Sequence, residues 1–248
     1  MLNTYKTILV NKKQLTSDVY LFTFKLIDPP GLNFIPGQYL IMKVPKNKEL
    51  VSRAYSIASS NTIRDSFQLI IEIVPQGLAS NYLVNLKEND QAVFQGPAGQ
   101  FQLRKNNKEK IFLVTGTGIA PILSMIKSNF QFSIFNFQLF WGLKNYKDIY
   151  LFDELKSSFT KATEDKQFNL KICLSREQNL DMIPEPDRKY FELGHIDVVF
   201  NKQFNNEAMK QWSNFEFYLC GRREIVDSLK NFLISKNIPQ ENIVFEKF

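Results

Sequence analysis

The chain has 248 residues, 44% hydrophobic and 23% charged, a globular composition long enough for two domains of ordinary size. No apolar run reaches the roughly 18 residues of a membrane span. Cys173 and Cys220 alone cannot hold an iron–sulfur cluster or a structural zinc, and the one histidine, His195, argues against histidine-rich metal sites and Ser-His-Asp hydrolysis. The net charge of +6 forms no basic stripe with interleaved aromatics, which disfavours nucleic acid and suits an anionic small molecule or an acidic protein partner.

The opening MLNTYKTILVNKKQLTS has lysines but neither an apolar core nor a small-residue cleavage site, so it reads as a first strand. Six short β-branched or aromatic runs follow one another: YKTILV, VYLFTFKLI, GQYLIMKV, RAYSIA, FQLIIEIV and QAVFQG. Turn residues at DPPG and PGQ separate several of them, which predicts an antiparallel six-stranded barrel or sandwich. Phenylalanine is abundant in the chain, with 23 residues, and many of these alternate in the apparent strands and are expected in the core. One helix interrupts the pattern, ASNYLVNL over 79–86, with a cap expected near Ser80.

The segment RAYSIASS (53–60) puts a cation and an aromatic ring, Arg53 and Tyr55, on one side of a strand. A flat and an anionic group could sit there together, and so could nothing more than a half-buried edge strand. Gly77 and Ser80 in GLAS could open an anion-binding helix, or Ser80 could be a plain cap.

The polar stretch RKNNKEK (104–110) reads as a linker, dividing the chain into 1–106 and 107–248. Beyond it the rhythm alternates. IFLVTG, FQLFWG, NLKICLS, FEFYLCG and IVFEKF are strand patterns, and APILSMIKSNF, FDELKSS, 196–203 and REIVDSLKNFLISK are helical. That order predicts a parallel sheet in an α/β domain. GTGIAP (116–121) falls between a buried strand and a helix, where Gly116 and Gly118 admit a close ligand and Pro121 suits an early helical position. The free N–H groups there would receive a pyrophosphate, although an ordinary βα turn has the same form. Cys220 and Gly221 end a strand on the ligand side of the sheet, and Glu246 and Phe248 close the chain.

RAYS, GLAS, GPAGQF, GTGIAP, YLCG and a final EKF, with FIPGQY before RAYS, together resemble the ferredoxin–NADP+ reductase superfamily over about residues 5–248. The resemblance implies an N-terminal six-stranded barrel that binds FAD and a C-terminal α/β domain that binds NAD(P). It implies that Arg53 pairs with the flavin phosphate, Tyr55 stacks on the isoalloxazine and Ser56 bonds near flavin N5. Ser56 faces away in an ideal strand, so a bulge or strand end is expected there. Gly77 and Ser80 imply a pyrophosphate, hence FAD. Gly116, Thr117 and Gly118 would border the NAD(P) pyrophosphate, with Cys220 and Gly221 beside the nicotinamide. Glu246 would assist proton transfer and Phe248 would cover the other flavin face. Ser175 and Arg176 resemble a 2′-phosphate site, with help from Lys189 and Tyr190. Leu143 stands where some NADP-specific relatives have Arg. NADPH is expected ahead of NADH.

The implied activity passes electrons from NADPH, or NADH, through FAD to a one-electron carrier: ferredoxin, flavodoxin or an oxygenase component. Alternatives are an NAD(P)H:free-flavin reductase, the reductase component of an oxygenase, and a flavin-binding electron-transfer or sensor subunit without hydride chemistry. A cytoplasmic monomer without metal, nucleic-acid partner or membrane span is expected.

Overall fold

The computed structural model describes residues 2–47, 49–128, 137–160, 168–204 and 212–248. Contacts divide the chain into two units, Met1–Arg104 with Ala120–Phe130, and Lys105–Ile119 with Gln131–Phe248.

The first unit holds six strands: β1 (Asn3–Gln14), β2 (Val19–Asp28), β3 (Tyr39–Lys46), β4 (Glu49–Ser56), β5 (Ser66–Glu72) and β6 (Gln91–Ala98). All pairings are antiparallel, in the order β4-β3-β6-β1-β2-β5. One bridge, Ile57 to Leu69, and the Ala58 N–H to Gln68 O bond bring the two edges together beyond β4, curling the sheet into a half-barrel. Alternation directs Phe22, Phe24 and Leu26 of β2 inward, where Phe24, Phe67 and Phe94 meet with centroids 5.0–5.6 Å apart. Each such ring contributes about 1.5–3 kcal/mol by leaving water.

Helix α1 (Leu78–Asn85) starts one residue before the predicted span. Its N-cap is Gly77, not Ser80. Ser80 lies in the first turn, buried, and its hydroxyl oxygen accepts the Val74 N–H at 2.9 Å. The hydroxyl closes the loop before the helix instead of capping it.

The second unit is a parallel sheet, β10-β9-β8-β7-β11-β12: β7 (Glu109–Thr115), β8 (Phe137–Leu143), β9 (Phe168–Leu174), β10 (Phe191–Leu193), β11 (Phe215–Gly221) and β12 (Ile243–Lys247). Helices α2 (Ile119–Ser128), α3 (Phe152–Thr160), α4 (Ile196–Gln203) and α5 (Arg223–Ser235) alternate with the strands in chain order, although from Ala120 onward α2 is grouped with the first unit. Asn129 and Phe130, at the end of the predicted APILSMIKSNF helix, lie outside the described residues. The three-residue edge strand β10 was not foreseen, because so short a run has no readable period.

The linker expectation for 104–110 fails at its far end. Lys110 is fully buried in β7, 2.7 Å from Glu216 of β11, and Asn106 bonds to both. A buried lysine with a carboxylate partner belongs to the core, whatever its polarity suggests in the sequence.

Candidate functional site

In the first unit the site is built on β4. Cross-strand pairing sets Val51, Arg53 and Tyr55 opposite Val44, Met42 and Leu40, three fully buried residues of β3. Paired residues share a face, so Arg53 and Tyr55 lie on the face that β3 turns to the core. β4 is the edge of that sheet, and Arg53 is exposed there while Tyr55 is half-buried. One Arg53 nitrogen donates to Ser52 O at 2.8 Å, and among the described residues no carboxylate pairs with it. Burial pushes the Tyr55 phenol up to about 12, with the Arg53 charge pulling against that shift. A neutral aromatic ring beside an uncompensated guanidinium fits a flat group carrying phosphate.

β4 ends at Ser56, so the expected strand end is present. The small residues that follow are taken up by protein. Ser59 O accepts the Ser124 hydroxyl at 2.7 Å, Ser59 Oγ accepts the Gln68 N–H at 3.1 Å, and Ala58, Ser59 and Ser60 are buried. The first turn of α1 carries no side-chain cap bond and no acidic residue. Its amide ends therefore remain open to an anion.

In the second unit the strand order reverses between β7 and β11. β8, β9 and β10 lie on one side of β7, and β11 and β12 on the other. Ligands of parallel sheets bind at the carboxyl ends of the strands at such a switch point. Gly116–Gly118 forms a tight 3₁₀ turn at the end of β7, and α2 begins directly after it with Pro121 in its first turn. A Cβ on Gly118 would stand 2.4 Å from Cys220 O, so only glycine lets the turn approach β11. A Cβ on Gly221 would lie 2.2 Å from Thr115 Oγ1, a buried hydroxyl without a hydrogen-bond partner among the described residues. The surface at the switch point is thus largely bare peptide, a cradle that fits a dinucleotide pyrophosphate.

Cys220 is buried and pairs in register with Glu246. Burial pushes its thiol well above the ordinary range, the Glu246 charge adds to this, and the Gly221 N–H opposes it. The thiol is therefore protonated and acts as a compact side chain, not as a nucleophile. The Phe248 backbone is held at both groups, its N–H donating to Gly221 O and its carbonyl accepting from Arg223 N–H, each at 3.2 Å, while its ring is 55% exposed.

Ser175 and Arg176 follow β9 and are tied to the end of β8. Leu143 O accepts the Ser175 N–H at 3.0 Å and its hydroxyl at 3.2 Å, and Lys144 O accepts the Arg176 N–H at 2.9 Å. Lys144 and Arg176 are both exposed. The Tyr190 ring lies 5.2 Å from Lys189 Nζ and 5.9 Å from Lys156 Nζ. Sequence reading missed Thr115, Trp141 and Tyr150. The last two donate to Gly116 O from positions 25 and 34 residues away. FQLFWG shows a tryptophan at a strand end, but nothing in the sequence aims it.

Among the described residues no group of His, Cys, Asp and Glu is placed to hold a metal ion, and no helix is long and apolar enough to cross a membrane.

Residues 6–103 match the family described as Oxidoreductase FAD-binding domain, and residues 112–231 match Oxidoreductase NAD-binding domain. Toluate 1,2-dioxygenase electron transfer component of Pseudomonas putida is 27% identical over 98% of this chain and 67% of its own length. Propane 2-monooxygenase, reductase component, of Mycolicibacterium smegmatis is 27% identical over 94% of this chain and 64% of its own. The chain thus spans about two thirds of the length of these curated relatives. Ferredoxin NADP+ reductase from Neisseria gonorrhoeae, solved with bound FAD and NADP, superposes with a TM-score of 0.81 at 19% identity, covering 98% of each chain. Amycolatopsis cytochrome P450 reductase GcoB gives 0.82 at 20% identity, over 100% of this chain and 70% of its own. An FAD-binding half-barrel followed by an NAD-binding parallel sheet makes this chain a member of the ferredoxin–NADP+ reductase-type superfamily of oxidoreductases.

Proposed function

We propose that the chain is an FAD-dependent NAD(P)H oxidoreductase that passes electrons from NADPH, in preference to NADH, to a one-electron carrier. Ferredoxin, flavodoxin or an oxygenase component is the carrier. Relatives named as electron transfer or reductase components of oxygenases support this, and a net charge of +6 suits an acidic partner. The cytoplasm fits two buried, free thiols.

The observation that carries the reading is the bare-peptide turn at the switch point of the parallel sheet. When bound, FAD supplies a hydride acceptor that releases electrons singly, and NAD(P)H supplies the hydride. The chain's own residues bind and orient. Arg53 holds phosphate, Tyr55 offers its ring face, and Ser56 gives a hydroxyl at the strand end near N5. The start of α1, from Gly77 through Ser80, receives the FAD pyrophosphate. Gly116, Thr117 and Gly118 receive that of the nicotinamide nucleotide. Ser175 and Arg176 take the 2′-phosphate, which is the ground for preferring NADPH. Cys220 and Gly221 shape the nicotinamide end without donating charge, Glu246 assists proton transfer nearby, and the exposed Phe248 ring covers the flavin.

The test is the visible spectrum of the purified protein, followed by anaerobic addition of NADPH and of NADH. A stoichiometric flavin band bleached by either nucleotide is expected. A colourless protein that FAD cannot reconstitute would overturn the reading. In Arg176→Ala, an unchanged ratio of NADPH to NADH affinity removes the 2′-phosphate assignment.

A further inference from the structure

The Gly116 carbonyl oxygen receives more donors than its turn requires. The Ile119 N–H closes the turn onto it. Trp141 Nε1 donates to the same oxygen at 3.0 Å and the Tyr150 hydroxyl at 3.1 Å. A carbonyl oxygen has two lone pairs, so the backbone bond and one side chain would already saturate it.

The two side-chain donors are rigid. Trp141 is fully buried and Tyr150 is 5% exposed. Their rings meet edge to face, with centroids 4.9 Å apart and planes at 86°. Trp141 reaches the turn because parallel pairing sets it beside Val114, two residues before Gly116. Tyr150 arrives from the opposite direction in sequence, just after the turn Tyr146–Asp148 that follows β8.

Gly116 has φ +52, and a Cβ there would meet nothing within 4 Å. A glycine in open space has wide backbone freedom, and its following peptide rotates with little steric resistance. That peptide is planar and trans, so the Gly116 C=O and the Thr117 N–H point in opposite directions. Holding the oxygen against Trp141 and Tyr150 turns the Thr117 N–H away from the aromatic pair. A flipped peptide would present the carbonyl oxygen there instead, and that oxygen repels an anion.

We propose that Trp141 and Tyr150 are positioning residues that lock the Gly116–Thr117 peptide with its N–H directed at the phosphate of the nicotinamide nucleotide. This rests on the reading of GTGIAP as the nucleotide site. The pair acts by raising the fraction of turns in the binding-competent orientation, and apparent affinity scales with that fraction.

The experiment uses flavin-loaded protein carrying Tyr150→Phe, Trp141→Phe or both. Each substitution removes a donor and keeps an aromatic ring. Anaerobic stopped-flow reduction by NADPH separates the dissociation constant from the limiting rate. Tyr150→Phe is expected to raise the dissociation constant about two- to tenfold, the range for one hydrogen bond, and the double variant to raise it further. The fall in reduction efficiency is expected to be steeper with NADPH than with N-benzyl-1,4-dihydronicotinamide, a hydride donor without phosphate. A purely structural role would lower the thermal midpoint and weaken both donors alike, and that result overturns the proposal. Tyr150→Phe, which deletes one oxygen atom, decides the matter alone if Trp141→Phe does not fold. A wild-type flavin that NAD(P)H does not reduce overturns the nucleotide reading itself. A normal wild type beside an unaltered double variant overturns only the clamp.

Discussion

The parallel sheet of the second unit carries polar groups at both ends and treats them in opposite ways. At the amino ends of β7 and β11, Lys110 and Glu216 are buried 2.7 Å apart, and Asn106 and the Tyr218 hydroxyl supply further bonds to the carboxylate. At the carboxyl ends of the same strands stand a glycine turn, the buried Thr115 hydroxyl and a buried thiol. The first end is closed on itself. The second leaves a buried hydroxyl, Thr115 Oγ1, without a partner among the described residues, beside a turn stripped of side chains, and there a ligand has something to bind. Burial alone does not separate the two, since Lys110 and Cys220 are both buried; the supply of partners does.

The largest expected effect comes from breaking the closed end. Lys110→Met leaves the Glu216 carboxylate buried beside an apolar side chain, and the loss is expected to be about 3–5 kcal/mol in denaturant unfolding. Replacing both partners, Lys110→Met with Glu216→Leu, is expected to recover part of that loss. A double variant no more stable than the single one would assign the cost to Asn106 and Tyr218 instead of the ion pair.

At the open end, Gly118→Ala drives a methyl into the Cys220 carbonyl. The backbone must shift, at about 1–3 kcal/mol of stability. The greater effect is expected on the ligand: more than about a tenfold rise in the dissociation constant for NADPH, since an ångström of displacement is costly to a positioned site. Nucleotide titration of the flavin spectrum checks this. An unchanged constant in a destabilised protein would remove the turn from the site.

Arg53→Gln carries the comparison to the first unit. If its guanidinium holds phosphate by charge-assisted bonds, its loss is expected to cost about 1.5–3 kcal/mol of FAD affinity, or roughly ten- to a hundredfold. Flavin retained after dialysis reads that loss directly. Thermal stability of the flavin-free protein is expected to change little, because Arg53 is exposed and makes one neighbouring backbone contact.

The features legible in the sequence are those with local causes. The six strand runs of the first unit carry their own alternation, and Arg53 and Tyr55 share a side by simple period two. GTGIAP sits where a buried run meets a helical one. The missed features have distant causes. Lys110 reads as linker because its partner Glu216 lies 106 residues away. Ser80 reads as a cap because serine favours that position, and only the fold shows its oxygen taken by Val74. Trp141 and Tyr150 carry no signal of their shared target, since a side-chain bond to a carbonyl depends on register between strands.

The smallest expected effect is in the pH dependence, and it separates the two ends by sign. Burial pushes the Glu216 carboxyl upward, but hydrogen bonds from Lys110 and Asn106, the Lys110 charge and the Tyr218 hydroxyl outweigh it and hold the group below its usual value. The unfolded chain then binds the proton more readily than the native one. The stability contributed is full above the ordinary carboxylate value of about 4.3 and is lost as pH falls through the lower native value. Cys220 works the other way. Its raised thiol contributes stability that is full below the ordinary value of about 8.5 and declines as pH rises beyond it. Thermal midpoints followed from about pH 3 to pH 10 are expected to show a shallower acid limb in Lys110→Met with Glu216→Leu, and a shallower alkaline limb in Cys220→Ala. An acid limb unaltered by the paired replacement would mean that other carboxylates set the acid limit. The closed end would then be a packing element without electrostatic control over folding.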